Sequence, residues 1–504
     1  MKVGVHRNVS RLWAARDIAG MRPIIRTALA LGLLLPTTAL PLVAQGTVVT
    51  RRDLADAYLQ VDRVAMTYGL PAERRAEWNR SFDRTTLAFF GGNFAKVLRD
   101  MHDLLARMTG DSAVASPTRQ LLPLRLEAGQ RVLVSGRDRA LEVSATVMYV
   151  DSTLPQARTL NLRVLDSAGT SLARGTLVVP ANAVAGQAAT TRLDLGAIIN
   201  GVGRYRIEAT LPGAKVSRST DVFIMGESAE SARSRLQQAI AALPATVDPQ
   251  SLGAVRARAA LITERPDPSS SAQFLADPVA LTAAVEREVR ALGRGEKPFT
   301  LRAGDQWRTI TGPAGAIPMR IYAPRGVSLG ARMPVVFALH GAGADENMFF
   351  EGYGAGRMKA LADSLEFILV SPETNAMMRD IAGFDSTIAV LEREYVIDRS
   401  TIYVLGHSMG AAATMRLASE RNSMVRAAVL LAGGGVPPAN GRMSPLLFIG
   451  AETDLVIPIA RVRASYDAAV AAGAVVEFRQ ADGWGHTLVV GARLDEAVRW
   501  LFVH

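Results

Sequence analysis

Hydrophobic and polar positions change their period along the chain, and these changes divide it into segments. Residues 45–119 place apolar side chains at helical spacing, as between Leu54 and Val61, and we predict a helical N-terminal region there. Residues 120–226 instead contain short runs of β-forming residues separated by turn residues, which predicts a small β-sandwich. Residues 227–294 return to helical spacing and include a Pro- and Ser-rich stretch that we interpret as a linker.

The pattern changes again over residues 295–504, where continuous apolar runs alternate with amphipathic helical stretches. Apolar runs without internal alternation are typical of parallel strands that are buried on both faces. Strands separated by helices predict an α/β domain with a mostly parallel sheet and helices on both of its faces. The predicted strands of this domain are Met333–Leu339, Phe367–Val370, Thr401–Leu405, Ala427–Leu431, Pro445–Ile449 and Val475–Phe478.

The candidate chemistry lies where the strand Thr401–Leu405 meets the predicted helix Met409–Glu420. Residues Gly406–Gly410, between them, read Gly-His-Ser-Met-Gly. A Gly-x-Ser-x-Gly motif between a strand and a helix is typical of a nucleophile elbow, a tight turn that exposes the serine. We therefore predict Ser408 as a nucleophile, and the backbone N–H of Met409 as a donor to an oxyanion beside the helix N-terminus.

A serine nucleophile needs a base, and the base needs an orienting acid. Among the six histidines, His486 lies in a Gly-rich loop after the last apolar strand, and it is the predicted base. Asp454 follows the strand Pro445–Ile449 and is the predicted acid, with Glu452 as its rival. The order Ser408, Asp454, His486 is the chain order of the α/β-hydrolase fold.

A second oxyanion donor is expected in the loop that follows Met333–Leu339. This loop reads His-Gly-Ala-Gly from residue 340, and its small residues let backbone N–H groups approach a substrate. We predict that Ala342 supplies the donor together with Met409, and that Gly341 and Gly343 contact the substrate.

Aromatic residues near the predicted base and after the oxyanion loop are candidates for an apolar substrate wall. Trp484 is the first of them, because it lies two residues before the predicted base in a Gly-rich loop. Phe349, Phe350 and Tyr353 are further candidates, and core packing is an equal alternative for the two phenylalanines. Since only residues 432–444 separate two of the predicted strands, no cap helices fit there. We expect a site that is open or covered by the N-terminal segments.

Around these motifs the sequence resembles a known superfamily. The segment Pro298–His504 resembles the α/β-hydrolases, and Ile397–Gly410 is similar to exported esterases of the polyhydroxyalkanoate depolymerase and feruloyl esterase type, and to prolyl-oligopeptidase-like and dienelactone hydrolase domains. The resemblance implies a serine hydrolase that cleaves small or polymeric carboxylic esters through an acyl-enzyme, without a cofactor or metal. A serine peptidase of the prolyl-oligopeptidase type is the alternative. A non-catalytic binding protein on a hydrolase scaffold is the third interpretation.

The distribution of charge along the chain indicates where the protein is located rather than which reaction it catalyses. The formal net charge is +10, but residues 1–44 hold six Lys/Arg and one Asp, so half of that charge lies in this segment. Its basic start and the apolar run Thr27–Ala44 predict a cleaved Sec-type signal peptide, with a membrane anchor as the alternative. We expect a periplasmic or secreted protein without a stable membrane anchor. The scattered arginines favour a solvated surface over a nucleic-acid partner.

The chain contains no cysteine, which excludes disulfides, a cysteine nucleophile, thiolate-bound metals and a lipid-modified N-terminal cysteine. The acidic and basic neighbours of His102 are typical of a solvated helix face rather than of a metal site. The composition is therefore compatible with a serine as the nucleophile.

Overall fold

The protein is described by a computed structural model that covers residues 49–113, 115–150, 156–196 and 201–504. The predicted signal peptide over residues 1–44 lies outside the described residues. No helix within the described ranges has the length and apolar character that a membrane crossing requires.

Four helices open the described chain, and the first two pack against the third. They are α1 (Arg51–Tyr68), α2 (Ala72–Phe90), α3 (Phe94–Met108) and α4 (Pro117–Leu121). Helix α1 begins with a capping box, in which the Thr50 side chain accepts from the Asp53 N–H and the Asp53 carboxylate accepts from the Thr50 N–H. The apolar residues that recur at helical spacing meet in one core, where Val61, Phe82 and Leu98 are buried.

His102 is buried in α3, so it does not lie on the solvated helix face predicted for it, although its charged neighbours are partly exposed. Its Nδ1 lies 2.9 Å from the hydroxyl of Tyr149. Burial holds the pKa of His102 well below its usual range, so the ring is neutral. The charged neighbour Asp103 faces outward to Arg119, because adjacent residues of a helix point in different directions.

Within 124–225, the residues that the structure describes form eight strands in two sheets, with the orders β1-β3-β6 and β2-β8-β7-β4-β5. The strands are β1 (Leu124–Ala128), β2 (Val132–Val134), β3 (Ala140–Val147), β4 (Arg158–Leu165), β5 (Ser171–Val179), β6 (Ala188–Asp194), β7 (Gly203–Thr210) and β8 (Arg218–Met225). Val143 of the first sheet shares one apolar core with Leu162 and Val222 of the second. A separate β-sandwich module with its own boundaries stays a prediction.

Four helices then lead to the last segment of the chain. They are α5 (Ala229–Ala241), α6 (Pro249–Ala260), α7 (Ser271–Leu275) and α8 (Pro278–Gly293). Their buried faces form an apolar core that includes Val255, Leu292 and Phe299. The buried pair of Arg258 and Glu288 links α6 to α8 within this layer.

The last segment contains an eight-stranded sheet with the order β16-β15-β14-β13-β11-β12-β10-β9. Its strands are β9 (Gly304–Gly312), β10 (Gly315–Ala323), β11 (Met333–Leu339), β12 (Ile368–Pro372), β13 (Ile397–His407), β14 (Val425–Leu431), β15 (Leu446–Ala451) and β16 (Val476–Ala481). Strands β11 to β16 are parallel, whereas β10 is antiparallel to both β9 and β12. This order, with one crossover of β11 and β12, is that of an α/β-hydrolase sheet.

Helices cover both faces of this sheet. They are α9 (Arg357–Leu365), α10 (Thr374–Met378), α11 (Ala382–Glu394), α12 (Met409–Glu420), α13 (Ile459–Ala471) and α14 (Leu488–Leu501), with short helical turns at Arg325–Leu329, Met348–Gly352 and Tyr353–Gly356. Along β11, Val336 packs in the core on one face, and Phe337 packs against Phe384 of α11 on the other. Burial on two faces explains the near-continuous apolar runs of these parallel strands, and the predicted α/β architecture is confirmed.

Candidate active site

The turn between β13 and α12 places Ser408 in a strained conformation. Its φ is 55° and its ψ is −116°, in a region that residues with a side chain rarely adopt. A Cβ atom at Gly410 would lie 2.0 Å from the carbonyl oxygen of Leu339, so only glycine lets the start of α12 pack against β11. This is the geometry of a nucleophile elbow, which lifts the serine hydroxyl above the carboxyl ends of the parallel strands.

The three residues that the sequence predicts as a triad meet at this edge of the sheet. The Oγ atom of Ser408 lies 3.0 Å from Nε2 of His486. The Nδ1 atom of His486 lies 2.8 Å from Oδ2 of Asp454. The other carboxylate oxygen of Asp454 accepts the N–H groups of Val456 and Ile457 at 2.8 and 2.7 Å. A His486 that donates from Nδ1 to the carboxylate keeps Nε2 free to accept the serine proton.

Glu452, the rival acid, does not reach the histidine ring. Its Oε2 instead accepts the N–H of Gly483 at 2.7 Å, near the solvent. The arrangement therefore favours Asp454 as the acid, and Glu452 stabilises the turn that precedes the histidine loop.

The predicted oxyanion loop lies beside Ser408. Gly341, Ala342 and Gly343 line the same cavity as the serine. Met409 is the first residue of α12, and the N–H groups of a first helical turn have no partner inside the helix. The side chain of Arg51, from α1, donates to the carbonyl oxygen of Gly343 at 2.8 Å. A residue about 290 positions away in the sequence thus helps to hold the loop.

Two further histidines hold the loops of the site. The Tyr353 hydroxyl lies 2.6 Å from Nδ1 of His407, and Nε2 of His407 lies 3.0 Å from the carbonyl oxygen of His486. Burial holds the pKa of His407 well below its usual range, so the ring is neutral. Its Nε2 donates a hydrogen bond to the His486 carbonyl, and its Nδ1 accepts one from the Tyr353 hydroxyl. His340 accepts the N–H of Thr374 at 3.0 Å through its Nε2 atom. Burial likewise lowers its pKa.

An apolar cavity of about 230 Å³ opens above Ser408. Its outer wall consists of the N-terminal helices, so these segments partly cover the site. The apolar side chains of this wall are Leu54, Tyr58, Leu59, Phe82, Phe89, Phe90, Val97 and Met101, to which α7 adds Phe274 and Leu275. Sequence reasoning missed all of them, because helical spacing shows which residues share a face but not what the face contacts.

The aromatic residues predicted to form a substrate wall separate into two groups. Tyr353 lines the cavity, but Phe349 and Phe350 are fully buried in the core beneath it. Trp484 does not line the cavity. It packs between the cores of the N-terminal helices and the sheet, with the guanidinium of Arg75 5.4 Å from its ring. The Trp484 carbonyl accepts from Thr453, which fixes the loop with the indole turned toward α2.

Helix α2 also contacts the loops that carry the predicted acid and base. The carboxylate of Asp83 accepts the N–H of His486 at 2.9 Å and the N–H of Leu455 at 3.0 Å. The side-chain oxygen of Asn79, one turn earlier, accepts the N–H of Gly485 at 2.8 Å. Burial raises the pKa of Asp83 to about 6. Asn79 and Asp83 are polar residues four positions apart on the buried face of one helix. This spacing is the sequence signal that could have identified them.

A similar contact joins α1 to the turn below the cavity. The carboxylate of Asp62 accepts the N–H of Ala355 at 2.6 Å, and burial raises its pKa to about 7.

Among the described residues, no group of three or more acidic, histidine or cysteine side chains has the geometry to hold a metal ion.

The order of the sheet and the strained Ser408 between β13 and α12 are those of the α/β-hydrolase fold with a serine at the nucleophile elbow. No family model matches the chain. Among curated proteins, the chain is 28% identical over 146 residues to the probable feruloyl esterase C of Aspergillus terreus, covering 27% of this chain and 54% of that protein. The corresponding protein of Aspergillus flavus is 28% identical over 134 residues, covering 25% and 50%. The chain spans about half the length of these relatives.

Solved structures of esterases align with a larger share of the chain. A ferulic acid esterase from Anaeromyces mucronatus has a TM-score of 0.33 and 14% identity, covering 38% of this chain and 89% of that one. An S-formylglutathione hydrolase from Staphylococcus aureus has a TM-score of 0.33 and 14% identity, covering 40% and 98%. The similarity to the feruloyl esterases confirms the resemblance to the α/β-hydrolase serine esterases.

Proposed function

We propose that this chain is an exported serine esterase that hydrolyses carboxylic esters through an acyl-enzyme. One observation carries the proposal, namely the chain of contacts at 3.0 and 2.8 Å from Ser408 through His486 to Asp454 on the floor of an apolar cavity. Its relation to curated feruloyl esterases supports the same reaction class. Export rests on the predicted signal peptide over residues 1–44, and N-terminal sequencing of the mature protein tests it.

The reaction follows from the positions of these groups. The Oγ atom of Ser408 attacks the ester carbonyl carbon while Nε2 of His486 accepts its proton, and Asp454 stabilises the resulting imidazolium. The N–H groups of Ala342 and Met409 stabilise the oxyanion of the tetrahedral intermediate. His486 then returns the proton to the departing alkoxide, which leaves an ester between Ser408 and the acyl group. A water molecule, activated by His486, hydrolyses this ester and restores the enzyme.

The cavity wall narrows the substrate class. Its side chains from α1, α2 and α3 are largely apolar, so they favour an ester with an apolar acyl or alcohol part, such as one aromatic ring or a medium-length alkyl chain. Since helices cover the serine, a small-molecule ester fits the site better than a polymer chain does. The probable feruloyl esterases, whose name refers to an aromatic acyl group, are consistent with this class.

Activity assays on the purified mature protein test the proposal. We expect a fluorophosphonate probe to label it and an aryl ester such as p-nitrophenyl butyrate to be hydrolysed, with an initial burst of p-nitrophenol if deacylation is slower than acylation. Labelling together with turnover of prolyl peptides, but not of esters, would favour the peptidase alternative. The absence of both labelling and turnover would favour the non-catalytic binding protein.

Filling the cavity from α1 is expected to change chain-length preference. Ala55 is half-buried and lines the cavity, so Ala55→Phe places a ring where an apolar substrate group would lie. We expect the ratio of kcat/KM for a p-nitrophenyl octanoate to that for the acetate to fall at least about tenfold, since a few methylene contacts are lost. Ala72→Phe, at the exposed start of α2, is the matched control and should keep the wild-type ratio.

A second ester series locates the group that enters the cavity. Acetate esters of longer alcohols vary the leaving group, whereas p-nitrophenyl esters vary the acyl group. The series that responds to Ala55→Phe identifies the side of the ester bound by the helices. Wild-type profiles for both series in the Ala55→Phe variant would contradict a substrate in this cavity.

A further inference from the structure

Asp83 belongs to helix α2 but contacts the two loops that carry the predicted acid and base. Its carboxylate accepts the N–H of His486, with 2.9 Å to one oxygen and 3.1 Å to the other. It also accepts the N–H of Leu455, the residue after Asp454, at 3.0 Å. One side chain therefore joins the backbone of the base to the backbone beside the acid, from a helix about 400 positions earlier in the chain.

The fit around this carboxylate is tight. A Cβ atom at Gly485 would lie 2.8 Å from Oδ2 of Asp83, so a side chain at this position would displace the carboxylate. Asn79 adds a further hydrogen bond to the N–H of Gly485. Helix α2 thus holds residues 485 and 486 through three backbone hydrogen-bond contacts from two side chains, while its Phe82 lines the cavity.

The N–H groups of Leu455 and His486 need an acceptor oxygen, but they do not need a charged one. Only 1% of its surface is exposed, and among the described residues it pairs with no Lys or Arg side chain. Burying a carboxylate without a cation is unfavourable, and the pKa of Asp83 is raised to about 6 for this reason. A neutral acceptor would fill the position with less penalty, which points to a role for the charge itself.

We propose that Asp83 is a positioning residue of the triad, which holds the acid and histidine loops in register and stabilises the imidazolium of His486 through its negative charge. The proposal rests on the proposed esterase function. It assigns a triad-supporting role to the N-terminal helices, outside the hydrolase sheet. The Asp83 carboxylate would contribute most when His486 carries the proton taken from Ser408, because the attraction between the two groups exists only in that state.

The charged groups that face Asp83 determine how its effect depends on pH. Asp454, after β15, raises the pKa of Asp83, and a protonated His486, in the loop after β16, lowers it. Arg75 lies one turn before Asn79 on α2, with its guanidinium over Trp484. Because the ionised form of Asp83 supports the triad, its contribution is present above pH 6 and is lost as the pH falls through about 6.

The substitution Asp83→Asn in the full mature chain tests this role. We expect kcat for p-nitrophenyl butyrate to fall by about 10- to 100-fold at pH 8, with KM changed less than about twofold, because positioning acts on the chemical step. The acid limb of log kcat/KM should have a slope steeper than 1 in the wild type and of 1 in Asp83→Asn, since one ionisation is removed. Glu73→Gln, an exposed acid-to-amide change on α2, is the matched control and should alter neither quantity.

The possible results distinguish a failure of the Asp83 positioning role from a failure of the esterase function. A folded Asp83→Asn protein with wild-type kcat and an unchanged acid limb would overturn the positioning role. If this variant does not fold, the wild-type acid limb decides, and a slope of 1 between pH 4.5 and 6 would overturn the proposal. Failure of the esterase function would instead appear as a wild-type protein that is neither labelled by fluorophosphonate nor active on any ester.

Discussion

Replacing Ser408 with alanine is expected to reduce kcat for ester hydrolysis by roughly 10⁴- to 10⁶-fold, because the acyl-enzyme can no longer form. The Oγ atom of Ser408 makes its side-chain contact with His486, so its removal leaves the strained backbone of the elbow in place. The residual rate would come from the oxyanion donors and from substrate binding. Steady-state assays with an aryl ester, and mass spectrometry of the fluorophosphonate adduct, measure the two losses.

A second serine on the same helix provides the control for this prediction. Ser419 lies in α12, eleven residues beyond Ser408, and its hydroxyl donates to the carbonyl oxygen of Met415. Ser419→Ala should keep wild-type turnover and a single adduct. Full labelling of Ser408→Ala at wild-type rate would place the nucleophile on another residue and would contradict the proposed function.

The central part of the fold could be predicted because its signals are local. Continuous apolar runs at β11, β13, β14 and β15 reflect burial on two faces, and each run ends within a few residues of the predicted boundary. The elbow is equally local, since the strand, the tight turn and the helix are adjacent in sequence. The parallel arrangement then brings the ends of these strands to one edge, which explains why three predicted site residues scattered over about 80 positions lie in contact.

The edge of the sheet was not predicted, because buried polar residues hide its pattern. In β9, Gln306 and Arg308 occupy buried positions, where Arg308 pairs with Glu394. In β10, Arg320 is buried and pairs with Asp305. Charged residues at inward positions do not show the alternation that indicates a strand, and only the three-dimensional structure supplies the partners that make their burial tolerable.

The cavity wall and the contacts of α2 required the tertiary structure for another reason. Tyr58 and Phe82 have the spacing of ordinary helix cores, and each lines the cavity beside Ser408 only because α1 and α2 lie against the loops and helical turns at the edge of the sheet. Trp484 shows the reverse error. A tryptophan near the predicted base suggested substrate contact, but the neighbouring helix presents Arg75 and covers its ring. Sequence proximity to the predicted base was therefore a weaker guide to cavity lining than the packing of distant helices.

Replacing His486 with alanine is expected to reduce kcat about as much as Ser408→Ala does, by roughly 10⁴- to 10⁶-fold, since the serine loses the base that activates it. The variant should remain folded, because Asp454 keeps the hydrogen bonds from the N–H groups of Val456 and Ile457. Steady-state kinetics and the rate of fluorophosphonate labelling measure the loss. Because the two residues act as one unit, Ser408→Ala/His486→Ala should be no less active than either single variant.

The terminal histidine supplies the control for His486. The ring of His504 stacks on Trp500 and lies at the far end of α14, outside the cavity lining, so His504→Ala should keep wild-type turnover. Losses that multiplied in the double variant would mean that Ser408 and His486 act independently, and would contradict a shared proton transfer across their 3.0 Å contact. Unchanged turnover in His486→Ala would assign the base to another group, although His407 and His340 are engaged in neutral hydrogen bonds beneath the site and face the loops they hold.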